Sequence, residues 1–203
     1  MRLIGMMDSP YVRRVAVSLR LMGLPYERDA ISVFRQYDDF AAINPAVKAP
    51  TLVTDGGVVL MDSTLILQHV EPLAAPERRL TPASAADQAR SLHVTGFALA
   101  ACEKAVQIVY ENNLRPPEFQ YAPWVSRVEG QMLAALRVLE REVGADGWLF
   151  ESRPLQADVT LAVAWRFIQY RQADRAPAAA FPALAAFSAR AEALPAFAAC
   201  PLE

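Results

Sequence analysis

The chain has 203 residues, 54% of them hydrophobic, enough to fill one large core or two smaller ones. Twenty basic residues against twenty-two acidic ones leave a net charge of -2, which excludes a general electrostatic hold on nucleic acid or acidic lipid. The first residues carry one charge and alternate into a strand, without a secretory apolar segment, and the longest apolar runs are too short to span a bilayer, so the expected location is the cytoplasm.

Met1 to Met7 reads as a first strand. From Pro10, the apolar positions Val12, Val15, Ala16, Leu19 and Met22 recur at three- and four-residue steps, the mark of a helix with one buried face. Gly23 and Pro25 stop it, and Tyr26 to Ile31 follows as a second strand. Val33 to Ile43 is a short helix ended by Asn44-Pro45. Ala49 to Val53 and Val58 to Leu60 are short β-branched runs around Asp55-Gly56-Gly57, an antiparallel hairpin. Asp62-Ser63 is a cap-type pair that opens another helix. A βαβ unit followed by a ββα unit is the pattern of a thioredoxin-like α/β fold.

Glu71 to Pro82 carries Pro72, Pro76 and Pro82 with charges between them and suits a linker. Beyond it alanine is abundant and the pattern is all-helical. Ser84 and Asp87 precede a long helix to about Leu114, and Arg115-Pro116-Pro117 breaks it. Trp124 to Val143 is next, closed by Gly144-Ala145-Asp146-Gly147, and helices over Leu155 to Tyr170 and Pro182 to Ala193 complete the half. The expected domains are 1–76 and 85–203, with a linker at 77–84. Cys102, Cys200, His69 and His93 show no CxxC spacing and no ligand cluster, so a disulfide framework or metal site has little support. Cys102 fits a buried small apolar role better than a nucleophile, because nothing near it in sequence supplies a base.

Asp8-Ser9-Pro10-Tyr11-Val12 is the stretch with the most chemical content. Ser9 is a preferred helix cap, and Pro10 occupies the first helical position, where a missing amide costs nothing. The exposed amides and positive dipole end of such a helix attract an anion, and the adjacent hydroxyl can hydrogen-bond a thiolate. Ser9 therefore either only caps the helix or also meets a bound thiol.

Ser9-Pro10 after the first strand, Lys48-Ala49-Pro50 before the hairpin, Asp62-Ser63 at the next helix, and an all-helical half beyond a proline-bearing linker together resemble a soluble glutathione S-transferase of the bacterial serine type. The resemblance covers the whole chain. It implies that Ala49-Pro50 is a cis-proline turn whose first residue pairs its backbone with the cysteinyl part of glutathione. Asp62 and Ser63 would hold the γ-glutamyl end and Lys48 the glycyl carboxylate. Ser9 would hydrogen-bond the glutathione sulfur and raise its thiolate fraction, the thiol itself being the nucleophile. The resemblance further implies glutathione as co-substrate with no prosthetic group, a homodimer, and an apolar electrophile in a pocket between the domains, with Met7, Tyr11 and Tyr110 as candidate lining residues. Glu103, on a helix of the implied dimer interface, would assist there or simply face solvent.

Two departures qualify the resemblance. The helix start has no cysteine, which disfavours dithiol exchange and glutathionylation. Leu155 stands where the family places Ser or Thr three residues before Asp158, so the reciprocal capping box is incomplete. Three functions share this pattern: a glutathione transferase with possible peroxidase activity, a glutathione-using isomerase or dehalogenase, and a noncatalytic interaction protein of the stringent-starvation type. The complete set of Ser9, Lys48, Pro50, Asp62 and Ser63 favours retained glutathione binding.

Overall fold

A computed structural model describes residues 1–144 and 146–203; of the helix-closing run at 144–147, Ala145 lies outside the described residues. The first half runs β1 (Arg2–Ile4), α1 (Pro10–Met22), β2 (Glu27–Asp29), α2 (Tyr37–Ile43), β3 (Thr51–Val53), β4 (Val59–Met61) and α3 (Ser63–Val70). This is the βαβαββα order that the sequence pattern implies. The strands form one mixed sheet in the order β2-β1-β3-β4, with β1 parallel to β2 and antiparallel to β3, and β3 antiparallel to β4.

Helix α1 starts and stops where its sequence dictates. The Val12 amide donates to Ser9 Oγ at the N-terminus, and Gly23 ends the helix in the left-handed region at φ 71°. Its apolar stripe, Val12, Val15, Ala16 and Leu19, is buried without residual exposure. Helix α2 is shorter than its pattern suggested. Ser32 Oγ accepts the amides of Phe34 and Arg35 and holds those residues in a turn, so the helix begins only at Tyr37. β1 likewise ends at Ile4, because Gly5 takes φ 136°.

Contacts divide the chain into two compact units, Met1–Thr81 with Ala193–Glu203, and Pro82–Glu192. Residues 77–81, which the prolines suggested as linker, and residues 193–203, expected in the helical half, thus fold with the first unit. Leu80 is fully buried there, and the amides of Leu80 and Thr81 donate to Glu71 Oε1. Near the other end, α8 (Pro195–Ala198) buries Phe197.

The second unit holds α4 (Ala85–Leu114), α5 (Ala122–Glu142), α6 (Gln156–Gln172) and α7 (Pro182–Glu192). Ser84 caps α4 by accepting the Asp87 amide at 3.0 Å, and its own hydroxyl donates to Asp87 at 2.7 Å. By length and composition alone α4 is apolar enough to cross a membrane, which corrects the expectation that every apolar run is too short. In this fold it packs on α5 and α6 and buries Val94, Ala98, Ala101, Ala105 and Ile108. Asp158 supplies one half of a capping box, its carboxylate accepting the Leu155 amide at 2.8 Å; Leu155 has no side-chain acceptor to return the other half. Asp158 compensates by also accepting the Leu149 amide at 2.8 Å, which ties the preceding loop to the helix start.

Candidate functional site

Strand register gathers three of the motifs at one end of the sheet. Ile4, the last residue of β1, pairs with Thr51, the first of β3, and Thr51 pairs with Met61, the last of β4. The chain leaves this row at three adjacent points: Gly5 to Ser9 after Ile4, Lys48 to Pro50 before Thr51, and Asp62-Ser63 after Met61. Segments separated by about fifty residues in sequence thus become neighbours because antiparallel pairing sets the end of one strand beside the start of the next.

Gly5 makes that proximity concrete. A Cβ built on it would stand 2.6 Å from Val12 Cγ2 and 3.2 Å from Ala49 Cβ, so the start of α1 and the proline loop both crowd the end of β1. The Ala49-Pro50 peptide is cis. Its loop is anchored by Asn44, a buried side chain whose Nδ2 donates to Thr51 Oγ1 at 2.9 Å and whose Oδ1 accepts the Ala46 amide at 3.0 Å. Thr51 in turn donates its hydroxyl to the Lys48 carbonyl at 2.8 Å. Lys48 itself is exposed.

Ser9 is half-buried, and its Oγ receives the Val12 amide at 3.4 Å, the long end of a hydrogen bond. A serine hydroxyl has one proton to give and two lone pairs, so accepting from Val12 leaves the proton for a second partner. Capping and ligand contact are therefore compatible roles. Asp62 takes φ 72°, an uncommon conformation for a residue with a Cβ, and its Oδ1 accepts the Thr64 amide at 2.8 Å to cap α3. At a helix start the first amides have no intrahelical partner, so those of Ser63 and Leu65 have none within α3.

Ser63 is only 4% exposed, and its Oγ accepts Nη1 of Arg14 at 3.0 Å; the same nitrogen donates to Thr64 Oγ1 at 3.1 Å. Arg14 escapes sequence reasoning. On the helical pattern it stands beside an apolar stripe and next to a second arginine, which reads as a solvated face, yet it is 3% exposed. The one signal was the doublet Arg13-Arg14 in a helix whose neighbouring positions are apolar on nearly every side. Asn44-Pro45 marks a helix end in the sequence, and the Asn44 side chain also organises the loop.

The electrophile candidates lie on separate elements. Met7 is buried and its amide donates to Glu203 Oε2 at 3.1 Å. Tyr11 is half-buried on α1, and Tyr110, on α4 in the helical unit, is 46% exposed. Glu103 is exposed on α4 and accepts Gln107 and Lys104.

A mixed four-stranded sheet with a cis-proline loop and two helix N-termini at one end, followed by a helical unit, defines a thioredoxin-like protein joined to an all-α domain. Family models refine this: "Glutathione S-transferase, N-terminal domain" matches residues 3–78, and "Glutathione S-transferase, C-terminal domain" matches residues 122–190. The chain is 30% identical over 156 residues to maleylacetoacetate isomerase of Pseudomonas aeruginosa, covering 73% of this chain and 72% of that protein. Among solved structures, a glutathione S-transferase of Methylobacterium radiotolerans in complex with glutathione sulfonate superposes with TM-score 0.91 at 27% identity, over 100% of this chain and 95% of that one. A glutathione transferase family member of Pseudomonas fluorescens with bound S-(propanoic acid)-glutathione gives TM-score 0.84 at 27% identity, over the full length of both. The chain belongs to the glutathione S-transferase family.

Proposed function

We propose that this protein is a glutathione transferase that binds glutathione at the Ile4-Thr51-Met61 end of its sheet and activates the thiol with Ser9. The observation that carries the reading is the register row itself, which brings Ser9, Ala49-Pro50 and Asp62-Ser63 to one place. Each of the tripeptide's parts has a matching group. Ala49, ahead of a cis proline, offers main-chain groups to a peptide laid alongside it. Ser63 and the first amides of α3 suit a carboxylate, Asp62 suits the ammonium beside it, and Lys48 suits the other carboxylate. Two family members solved with glutathione derivatives support the same ligand.

The chemistry is stabilisation of an anion. Ser9 donates to the glutathione sulfur while the N-terminus of α1 supplies positive potential, and neither favours the neutral thiol as strongly. One charge-assisted hydrogen bond plus the dipole lowers the thiol pKa by about two units, each unit corresponding to about 1.4 kcal/mol. The thiolate then attacks an apolar electrophile, near which we place Tyr11 and Met7. The protein works in the cytoplasm as a homodimer in this reading.

A second reading, favoured by the likeness to the Pseudomonas aeruginosa isomerase, uses the same thiolate differently. The sulfur adds to one carbon of an activated cis double bond, the resulting single bond turns, and the sulfur leaves again, so glutathione is regenerated. Consumption of glutathione separates the two: it falls in step with product for a transferase and stays constant for an isomerase.

Calorimetric titration with glutathione tests both. A saturable heat at millimolar ligand is expected, and its absence would leave a noncatalytic interaction protein. In Ser9→Ala, binding should persist while the pKa of the bound thiol, read from thiolate absorbance against pH, rises by about one unit. An unmoved pKa would remove Ser9 from the mechanism.

A further inference from the structure

The turn that delivers Ser9 is not held by the three motifs. The Ser9 amide donates to the Met6 carbonyl at 3.1 Å, which closes a β-turn with Met7 at its second position. The amide at that position points away from the turn and must find its partner elsewhere. It finds Glu203, whose Oε2 accepts it at 3.1 Å while Oε1 is paired with Arg28, the residue after the first of β2. A second connection lies just beyond Ser9. Arg13, whose amide donates to the Ser9 carbonyl at 3.0 Å, sends its buried Nε to the Cys200 carbonyl at 2.7 Å, and its guanidinium lies 5.8 Å from the Phe197 ring centroid. Both Phe197 and Cys200 are buried. One segment therefore grips the chain on either side of Ser9, through an acceptor before it and an acceptor after it.

We propose that residues Pro195–Glu203 form a strap that positions Ser9, with Glu203 as the positioning residue for the turn and the Cys200 carbonyl as the anchor for the first turn of α1. This rests on the reading of Ser9 as the partner of the glutathione sulfur. The strap makes no contact with glutathione in this scheme. Its effect reaches the sulfur through the direction of the Ser9 hydroxyl and the aim of the α1 amides, which a hydrogen bond depends on steeply. Partial burial works against the charge on Glu203, but Arg28 and the Met7 amide outweigh it and hold its pKa below the ordinary value, so the acceptor is an anion at neutral pH.

Two variants separate positioning from simple loss of an ion pair. Glu203→Gln keeps an oxygen for the Met7 amide and gives up the charge toward Arg28; Glu203→Ala gives up both. With glutathione bound, Glu203→Ala should raise the thiol pKa by about half a unit and lower kcat about threefold, with KM for glutathione nearly unchanged. Glu203→Gln should stay close to the parent in all three. Equal shifts in both variants, or no shift in Glu203→Ala, would overturn the proposal. Amide hydrogen exchange read at Met7 and Ser9 in the free protein gives a measurement independent of ligand. Faster exchange at both positions in Glu203→Ala alone supports the strap, and unchanged exchange overturns it. Should the parent protein fail to bind glutathione, the transferase reading falls, and the exchange measurement still decides whether Glu203 orders the Ser9 turn.

Discussion

Nη1 of Arg14 lies 3.0 Å from Oγ of Ser63, so an arginine inside α1 fixes the first residue of α3. Because the guanidinium can only donate, Ser63 is left as an acceptor toward Arg14 and keeps its proton for a partner on the other side. The buried positive charge also adds to the potential at the start of α3, where the proposed γ-glutamyl carboxylate would rest. Arg14→Met should therefore weaken glutathione binding by about tenfold, a loss of about 1.4 kcal/mol, measured by calorimetric titration. Arg14→Lys should rescue little of it, since an ammonium on a flexible stem does not reproduce a fixed guanidinium donor.

Gly5→Ala addresses the crowding at the end of β1. The new methyl would meet Val12 Cγ2 at 2.6 Å and Ala49 at 3.2 Å, on a backbone at φ 136° that a residue with a Cβ rarely adopts. Overpacking of this kind costs about 1–3 kcal/mol, with backbone strain in addition. Chemical denaturation should report that loss, and glutathione affinity should fall with it, because Val12 in the first turn of α1 and Ala49 in the proline loop must both give way.

Asn44→Ala removes the donor to Thr51 Oγ1 and the acceptor of the Ala46 amide together. The Thr51 hydroxyl can still donate to the Lys48 carbonyl, so the strand should persist while the loop before Pro50 loosens. A destabilisation of about 1–3 kcal/mol is expected, with faster amide exchange confined to residues 44–50.

Asp158 gives the helical unit a pH dependence of defined sign. Burial pushes its carboxyl up to about 6, against the pull of the Leu149 and Leu155 amides, while an unfolded aspartate titrates near the ordinary value of 3.8. The folded state therefore binds this proton more tightly than the unfolded one. The stability it contributes is complete below the unfolded value and declines as pH rises through the folded one. Denaturant titrations should show the parent losing on the order of 2 kcal/mol relative to Asp158→Asn between pH 4 and 7, since the amide does not titrate. A gap that widens in the parent's favour over that range would contradict the assignment.

Local chemistry made most elements legible. Ser9-Pro10 and Gly23 bound α1 as their backbone preferences require, and Ser84 with Asp87 opens α4 by the same logic. The β-branched runs and the glycine turn at Asp55-Gly56-Gly57 specified the hairpin, and Asp62 caps α3. Two elements are shorter than their patterns: the Ser32 side chain competes for backbone amides and delays α2, and the positive φ of Gly5 cuts β1 short. The short helix α8 is a four-residue element whose single buried aromatic, Phe197, carries no period to detect.

The sequence by itself determined which residue types stand at the two helix starts and the proline loop, because caps, prolines and glycines act through the few residues beside them. Only the tertiary structure decided that Arg14 turns inward to Ser63, that Asn44 anchors the loop before Pro50, and that Glu203 returns to the Met7 amide. Those choices depend on strand register and on which buried polar atom lacks a partner once the sheet has formed. Such information resides in contacts between residues far apart along the chain, and local pattern does not carry it.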